Sequence, residues 1–198
     1  MFKISLSVVF FLCVFVPLSW GEAPNSQGLF QAESSKIQFI LQGSQSQLSV
    51  GTKNYSEYGL KTMMSFFPFR RLSFYGSYFA VIKPDGSSNL NGLGFGGKFY
   101  INGAGSSVTL KSFNTTLMAS PEFAYYAGME FMSRDLRSNS VNLNYTGFAY
   151  SAGVDWHFHY KWFGNLELQY SMLKNALGST SAQDLKIMAI GVGMGIMI

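Results

Sequence analysis

From residue 147 to residue 160 large apolar side chains take turns with small or polar ones. Phe148, Tyr150, Ala152, Val154, Trp156, Phe158 and Tyr160 hold one parity; Gly147, Ala149, Ser151, Gly153, Asp155, His157 and His159 hold the other. Successive side chains of a strand point to opposite faces, so a period of two predicts a strand with one aromatic face and one small or polar face. At the C-terminus Met188, Ile190, Val192, Met194, Ile196 and Ile198 oppose Ala189, Gly191, Gly193 and Gly195, a division that a helix would scramble. Phe123, Tyr125, Ala127, Met129 and Phe131 oppose Glu122, Ala124, Tyr126, Gly128 and Glu130. Leu93, Phe95, Gly97, Phe99 and Ile101 likewise oppose Gly92, Gly94, Gly96, Lys98 and Tyr100, and Leu166, Leu168, Tyr170 and Met172 oppose Glu167, Gln169 and Ser171. Three further strands are less regular, and in the third of them Tyr75, Phe79 and Val81 fall on the polar parity. The pattern predicts eight strands, near residues 36–43, 55–67, 71–82, 90–101, 118–132, 145–160, 165–174 and 185–197. Residues 102–117, a long polar stretch, fit none of them.

The first twenty-one residues have another origin. Lys3 is a basic start, residues 4–16 are apolar apart from Ser5 and Ser7, and Ser19-Trp20-Gly21 offers small residues at the positions a signal peptidase reads. The expected organisation is a signal peptide at 1–21, a flexible polar lead-in at 22–34 and a barrel at 35–198. Cys13, the one cysteine, lies in the leader behind Leu12, so the exported chain forms no disulfide. Without the leader, thirteen basic residues face ten acidic ones; the basic residues are scattered, with Arg70-Arg71 the one adjacent pair, which excludes a nucleic-acid footprint.

Composition decides which face meets what. Charged residues are 12% of the chain, against about 25% in soluble domains, and aromatics are 17%. Turned inward, the apolar face would send about forty large side chains into a lumen that eight strands make just wide enough for modest ones. Turned outward it meets lipid, with Gly, Ala, Ser and a few long polar residues inside. The longest charge-free apolar stretch, residues 187–198, is too short for a spanning helix and adequate for a tilted strand. The expected fold is an all-β, eight-stranded antiparallel up-and-down transmembrane barrel. Phe67, Phe69, Phe99, Tyr100, Trp162 and Phe163 cluster at the expected tight turns and are assigned to the water–lipid boundary. With the N-terminus periplasmic, the links at 68–70 and 161–164 fall inside and the other loops outside, with lengths of roughly six to eleven residues that disfavour adhesion.

On these features residues 36–198 resemble the small bacterial outer-membrane barrels typified by the OmpA transmembrane domain, OmpX and OmpW. Where many of those barrels end in Phe, this chain ends Met197-Ile198. The resemblance implies the bacterial outer membrane as location, with its lipid, lipopolysaccharide and the barrel assembly machinery as partners. It leaves the oligomeric state open.

The polar parity collects Glu57, Lys61, Lys98, Glu122, Glu130, Asp155, His157, His159 and Glu167. Charges in a small lumen must pair, so these residues predict a hydrogen-bonded plug, the arrangement the resemblance also favours. A turn centred on Phe163 would set His159 opposite Glu167 and His157 opposite Gln169. That register admits a metal held by His157, His159 and Glu167, one ligand short of a structural zinc site. It also admits an acyl hydrolase with Ser171 as nucleophile. Lipid A deacylases carry His-x-Ser, whereas His157-Phe158-His159 lacks the serine. Gly92-x-Gly94-x-Gly96-Gly97 lies within strand periodicity and opens no helix, which excludes a phosphate loop. The expected role is structural or interactive, without cofactor or metal; the alternatives are passage of small apolar solutes and, behind it, lipid A acyl hydrolysis.

Overall fold

A computed structural model describes residues 31–34, 37–50, 53–82, 88–101, 108–112, 115–119, 122–138, 141–159, 161–175 and 184–198. The expected signal peptide at 1–21 and residues 22–30 lie outside them. Among the described residues eleven strands follow in chain order: β1 (Gln31–Ser34), β2 (Ile37–Val50), β3 (Lys53–Phe69), β4 (Leu72–Ile82), β5 (Ser88–Tyr100), β6 (Val108–Ser112), β7 (Thr115–Ala119), β8 (Phe123–Ser138), β9 (Val141–His157), β10 (Trp162–Asn175) and β11 (Leu185–Met197). Eight of them, β2 to β5 and β8 to β11, close into one antiparallel barrel. Closure runs through β11 and β2, paired from Leu185↔Val50 to Met197↔Gln38. Beyond that ladder, the Ile37 amide donates to the Ile198 carbonyl at 3.3 Å and the Ile198 amide to the Ile37 carbonyl at 2.9 Å. Every barrel strand is thus flanked on both sides, the condition for placing backbone in hydrocarbon.

The alternation holds through the wall. Along β10, Leu166, Leu168, Tyr170 and Met172 are exposed while Asn165, Glu167, Gln169 and Ser171 are buried. On its outer face the apolar run goes from Trp162 to Met172 and stops at Lys174. At ~3.4 Å per residue and a tilt of ~40° that run is about 25 Å tall, the height of an outer-membrane belt. On β11 the run from Ile198 to Met188 has the same length and stops at Lys186. Strands extend past the belt: β3 has 17 residues, which rise about 44 Å on the same arithmetic. Gln45, Gln47, Asn54 and Ser56 face outward on that extension.

The observed strands are longer than the periodicity predicts, because Ser44 to Ser49 and Asn142 to Asn144 keep the ladder after the apolar alternation ends. The connections at the extended end shrink accordingly to residues 51–52, 83–87, 139–140 and 176–184. Lipid facing selects side chains, whereas backbone pairing in water does not, so the pattern fades before the strand does.

Two further expectations are corrected. The stretch 102–117 holds β6 and the start of β7, which runs to Ala119 and takes the first residues of the strand expected at 118–132, so that the barrel strand begins at Phe123; β1 pairs with β6 from Gln31↔Lys111 to Ser34↔Val108, giving a separate sheet in the order β1-β6-β7. The lead-in therefore ends in a strand. The pairing Leu72↔Phe99 puts the start of the 101–122 connection at the barrel end that also holds Ile37 and the Arg70–Arg71 turn. One connection at the tight-turn end is thus long, contrary to the expectation that only short links lie there.

Candidate functional site

The site is the barrel interior, filled in three tiers by inward positions of the same strands. At the tight-turn end Phe67, Tyr100, Ala124 and Tyr126 form one apolar cluster, and Ile40, Met63, Tyr75, Phe163 and Met197 another. At the opposite end Leu48, Met132, Tyr145, Ala149, Leu173, Leu185 and Ile187 pack together with Val81 and Leu143 against them. Leu48 and Ile187 are direct ladder partners, as are Leu173 and Leu185, so the cluster is locked by register as well as by burial.

Between these tiers lies a network of charges. The Lys61 ammonium donates to Glu130 Oε2 at 3.0 Å and to Glu167 Oε1 at 3.2 Å, and Lys98 Nζ stands 3.3 Å from Glu167 Oε2. Glu130 also accepts from Tyr75 at 3.3 Å, from Gln169 at 2.9 Å and from the Ser77 hydroxyl. Glu167 Oε2 accepts from the Tyr126 hydroxyl at 2.9 Å. A second branch descends to Asp155, which accepts from Asn165 at 2.7 Å and Tyr100 at 2.9 Å; Gln42 donates to Asn165 at 3.0 Å. Lys98 Nζ sits 4.1 Å from the centre of the Tyr126 ring, and the Arg134 guanidinium lies 3.7 Å over Phe79, both cation–π distances. Lys98 and Asp155 have no accessible surface, and Glu130 is 1% exposed. In so dry a place an uncompensated charge is costly, and multiple donors to each carboxylate are what make the arrangement tolerable.

Glycine supplies the room. A Cβ on Gly94 would collide with the Glu130 carboxylate and one on Gly92 would press on Arg134, so the β5 glycines are the hollow into which two long β8 side chains fold. Gly191 does the same for Gln42, and Gly195 for the Phe163 ring. What remains empty among Gln42, Lys61, Arg134, Glu167 and Gln169 is about 10 Å³, room for the centre of roughly one water.

Of the nine residues assigned to the lumen, seven are there: Glu57, Lys61, Lys98, Glu130, Asp155, His157 and Glu167 are all buried. Glu122 and His159 are not. Both are exposed at the tight-turn end, where the His157 amide donates to the Glu122 carbonyl and the Lys161 amide to His159 Nδ1 at 3.4 Å. Parity fails for them because the ladder ends, β9 at His157 and β8 at Phe123. The expected register is also displaced. Phe163 pairs with His157, which leaves Glu167 opposite Gly153 and Gln169 opposite Ser151. The turn centres near residue 160, not Phe163. His157, His159 and Glu167 therefore do not converge, and among the described residues no cluster of His, Cys, Asp and Glu is placed to hold a metal. Ser171, opposite Ala149, is eight positions along β10 from the partner of His157, about 27 Å. No hydrolytic triad forms from them.

The boundary aromatics divide. Phe69, Phe99 and Trp162 face outward; Phe67, Tyr100 and Phe163 are buried and cap the lumen. Neighbours such as Phe99 and Tyr100 must face opposite ways in a strand. Phe69 joins the outer face through the register shift between Phe66 and Phe69. The outer band at this end is completed by Phe123 and Trp156, stacked with ring centres 6.4 Å apart, and by Phe158. The sequence reading leaves Gln42, Tyr126, Arg134 and Asn165 out of the polar network and places Tyr100 at the boundary instead of in that network. Their signal was position: each shares parity with a recognised lumen residue on its strand or lies beside one.

A closed antiparallel barrel of eight strands, apolar on its outer wall and polar within, is a transmembrane barrel of the bacterial outer-membrane class. Solved structures share the fold. Neisserial surface protein A, from Neisseria, superposes with a TM-score of 0.61 at 9% identity, over 84% of this chain and 99% of that one. The N-terminal β-barrel domain of Pseudomonas aeruginosa OprF gives 0.55 at 10% identity, over 84% of this chain and 100% of that one. No protein-family model matches the sequence, and no curated protein matches it significantly.

Proposed function

We propose that this protein is a closed structural barrel of the outer membrane, with the tight-turn end in the periplasm and the longer, polar strand ends projecting from the cell as an interaction surface. The observation that carries the reading is the filling of the lumen: Lys61 is held between Glu130 and Glu167, with packed apolar clusters above and below. A small apolar solute crossing the lumen would have to pass buried carboxylates and ammonium groups, which counts against passage through the barrel. The separation of Ser171 from His157 counts against acyl hydrolysis. The protein refolded into planar bilayers is expected to show no resolved single-channel current at moderate voltage. Steady discrete openings would mean that the interior is a pore and would overturn the proposal.

A further inference from the structure

The outward rim at the extended end of the barrel is mostly neutral where the apolar belt stops. Past the belt the outward polar residues are Gln45 on β2, Ser56 on β3, Asn91 on β5, Ser133 on β8 and Thr146 on β9. Two adjacent strands differ. On β10 and β11 the belt gives way directly to Lys174 and Lys186, both exposed. Lys186 is the ladder partner of Met172, so Lys174, two residues along on the same face, is its diagonal neighbour. Such positions lie about 7–8 Å apart, within reach of two flexible four-carbon stems converging on one anion. Neither lysine forms an ion pair among the described residues. Beneath them Tyr170, Met172, Met188 and Ile190 make a continuous apolar wall. Asp184, the residue before β11, is exposed and falls across from Lys174 when the register Met172↔Lys186, Leu173↔Leu185 is continued by one step, yet it makes no salt bridge with it among the described residues.

From this juxtaposition we infer that Lys174 and Lys186 form a site for a phosphorylated lipid headgroup in the leaflet at the extended end, with the lipid's acyl chains lying along the Tyr170–Met188 wall. The inference rests on the membrane orientation proposed above. Both lysines stand one strand step past a belt about 25 Å tall, at the level where headgroup phosphates begin. A cation there is attracted to an anionic headgroup, and two that share one phosphate add their effects. Thr146, the partner of Lys174, and Ser49, the partner of Lys186, flank the pair with hydroxyl groups.

The test uses the mature protein refolded into nanodiscs doped with bisphosphorylated lipid A, extracted into mild detergent, and examined by native mass spectrometry for retained lipid. The wild type should retain lipid A, and K174Q/K186Q should lose retention on the order of tenfold. K161Q, which removes an exposed lysine at the opposite end, should match the wild type. Dephosphorylated lipid A should bind the wild type no better than the double variant, and inorganic phosphate should not displace the lipid. Equal retention by wild type and double variant, or displacement by inorganic phosphate, would overturn the inference while leaving the membrane reading intact. A chain that fails to enter the nanodiscs at all would remove both.

Discussion

Replacing Glu167 by alanine should cost about 3–5 kcal/mol of folding stability, the loss expected when one side of a buried ion pair is removed. Glu167 receives Lys61 at 3.2 Å, Lys98 at 3.3 Å and Tyr126 at 2.9 Å. Lys61 would keep Glu130, but Lys98, with no accessible surface, would lose its one carboxylate partner within salt-bridge distance among the described residues. The cost is that of the stranded ammonium more than of the lost attraction, so removing both charges should be milder than removing one. In urea titrations of the barrel in lipid vesicles, E167A should be less stable than the double variant K98M/E167Q. A loss below about 1 kcal/mol, the range of solvent-exposed pairs, would mean that the interior is wet.

An arginine at the middle of the outer wall should cost about 2–4 kcal/mol. Leu168 is the position: it is 56% exposed and lies between Leu166 and Tyr170 on the same face of β10. If that face met water, L168R would change stability by no more than about 0.5 kcal/mol. In hydrocarbon the guanidinium must be desolvated or the bilayer deformed. The penalty depends on depth, so Q47R, on the polar extension of β2, should be nearly neutral in the same vesicle titration. Equal effects at the two sites would refute a lipid belt.

The same opposition between lipid and lumen makes much of the fold legible in the sequence. The face of each membrane-spanning strand was readable because lipid and lumen impose opposite demands on neighbouring residues, as at Leu168 and Gln169. Even the apparent exceptions were informative: Tyr75 and Phe79, on the polar parity of β4, do point inward, Tyr75 to bond Glu130 and Phe79 to underlie Arg134. Turns were less legible, since the shift of the β9–β10 centre from Phe163 to near residue 160 depends on backbone bonds such as His159 to Trp162. That shift separated the proposed His157, His159 and Glu167 trio. The apolar caps were hidden for another reason. Leu48, Leu173 and Ile187 occupy inward parity, but beyond the middle of the strands, where a lumen can again be filled with hydrocarbon side chains. The β1-β6-β7 sheet carries short strands of four and five residues, too brief for alternation to stand out.

The central claim, that the aromatic outer wall lies in a bilayer, can be checked through the tryptophans. The chain has three: Trp20 in the expected signal peptide, and Trp156 and Trp162, which are 50% and 43% exposed on the outer face near the tight-turn end. The measurement is fluorescence of the refolded mature chain in bilayers brominated at different acyl depths. Strong quenching, greatest for bromines near the headgroup and weakest at the bilayer centre, is the predicted result; emission indifferent to every brominated lipid would contradict it.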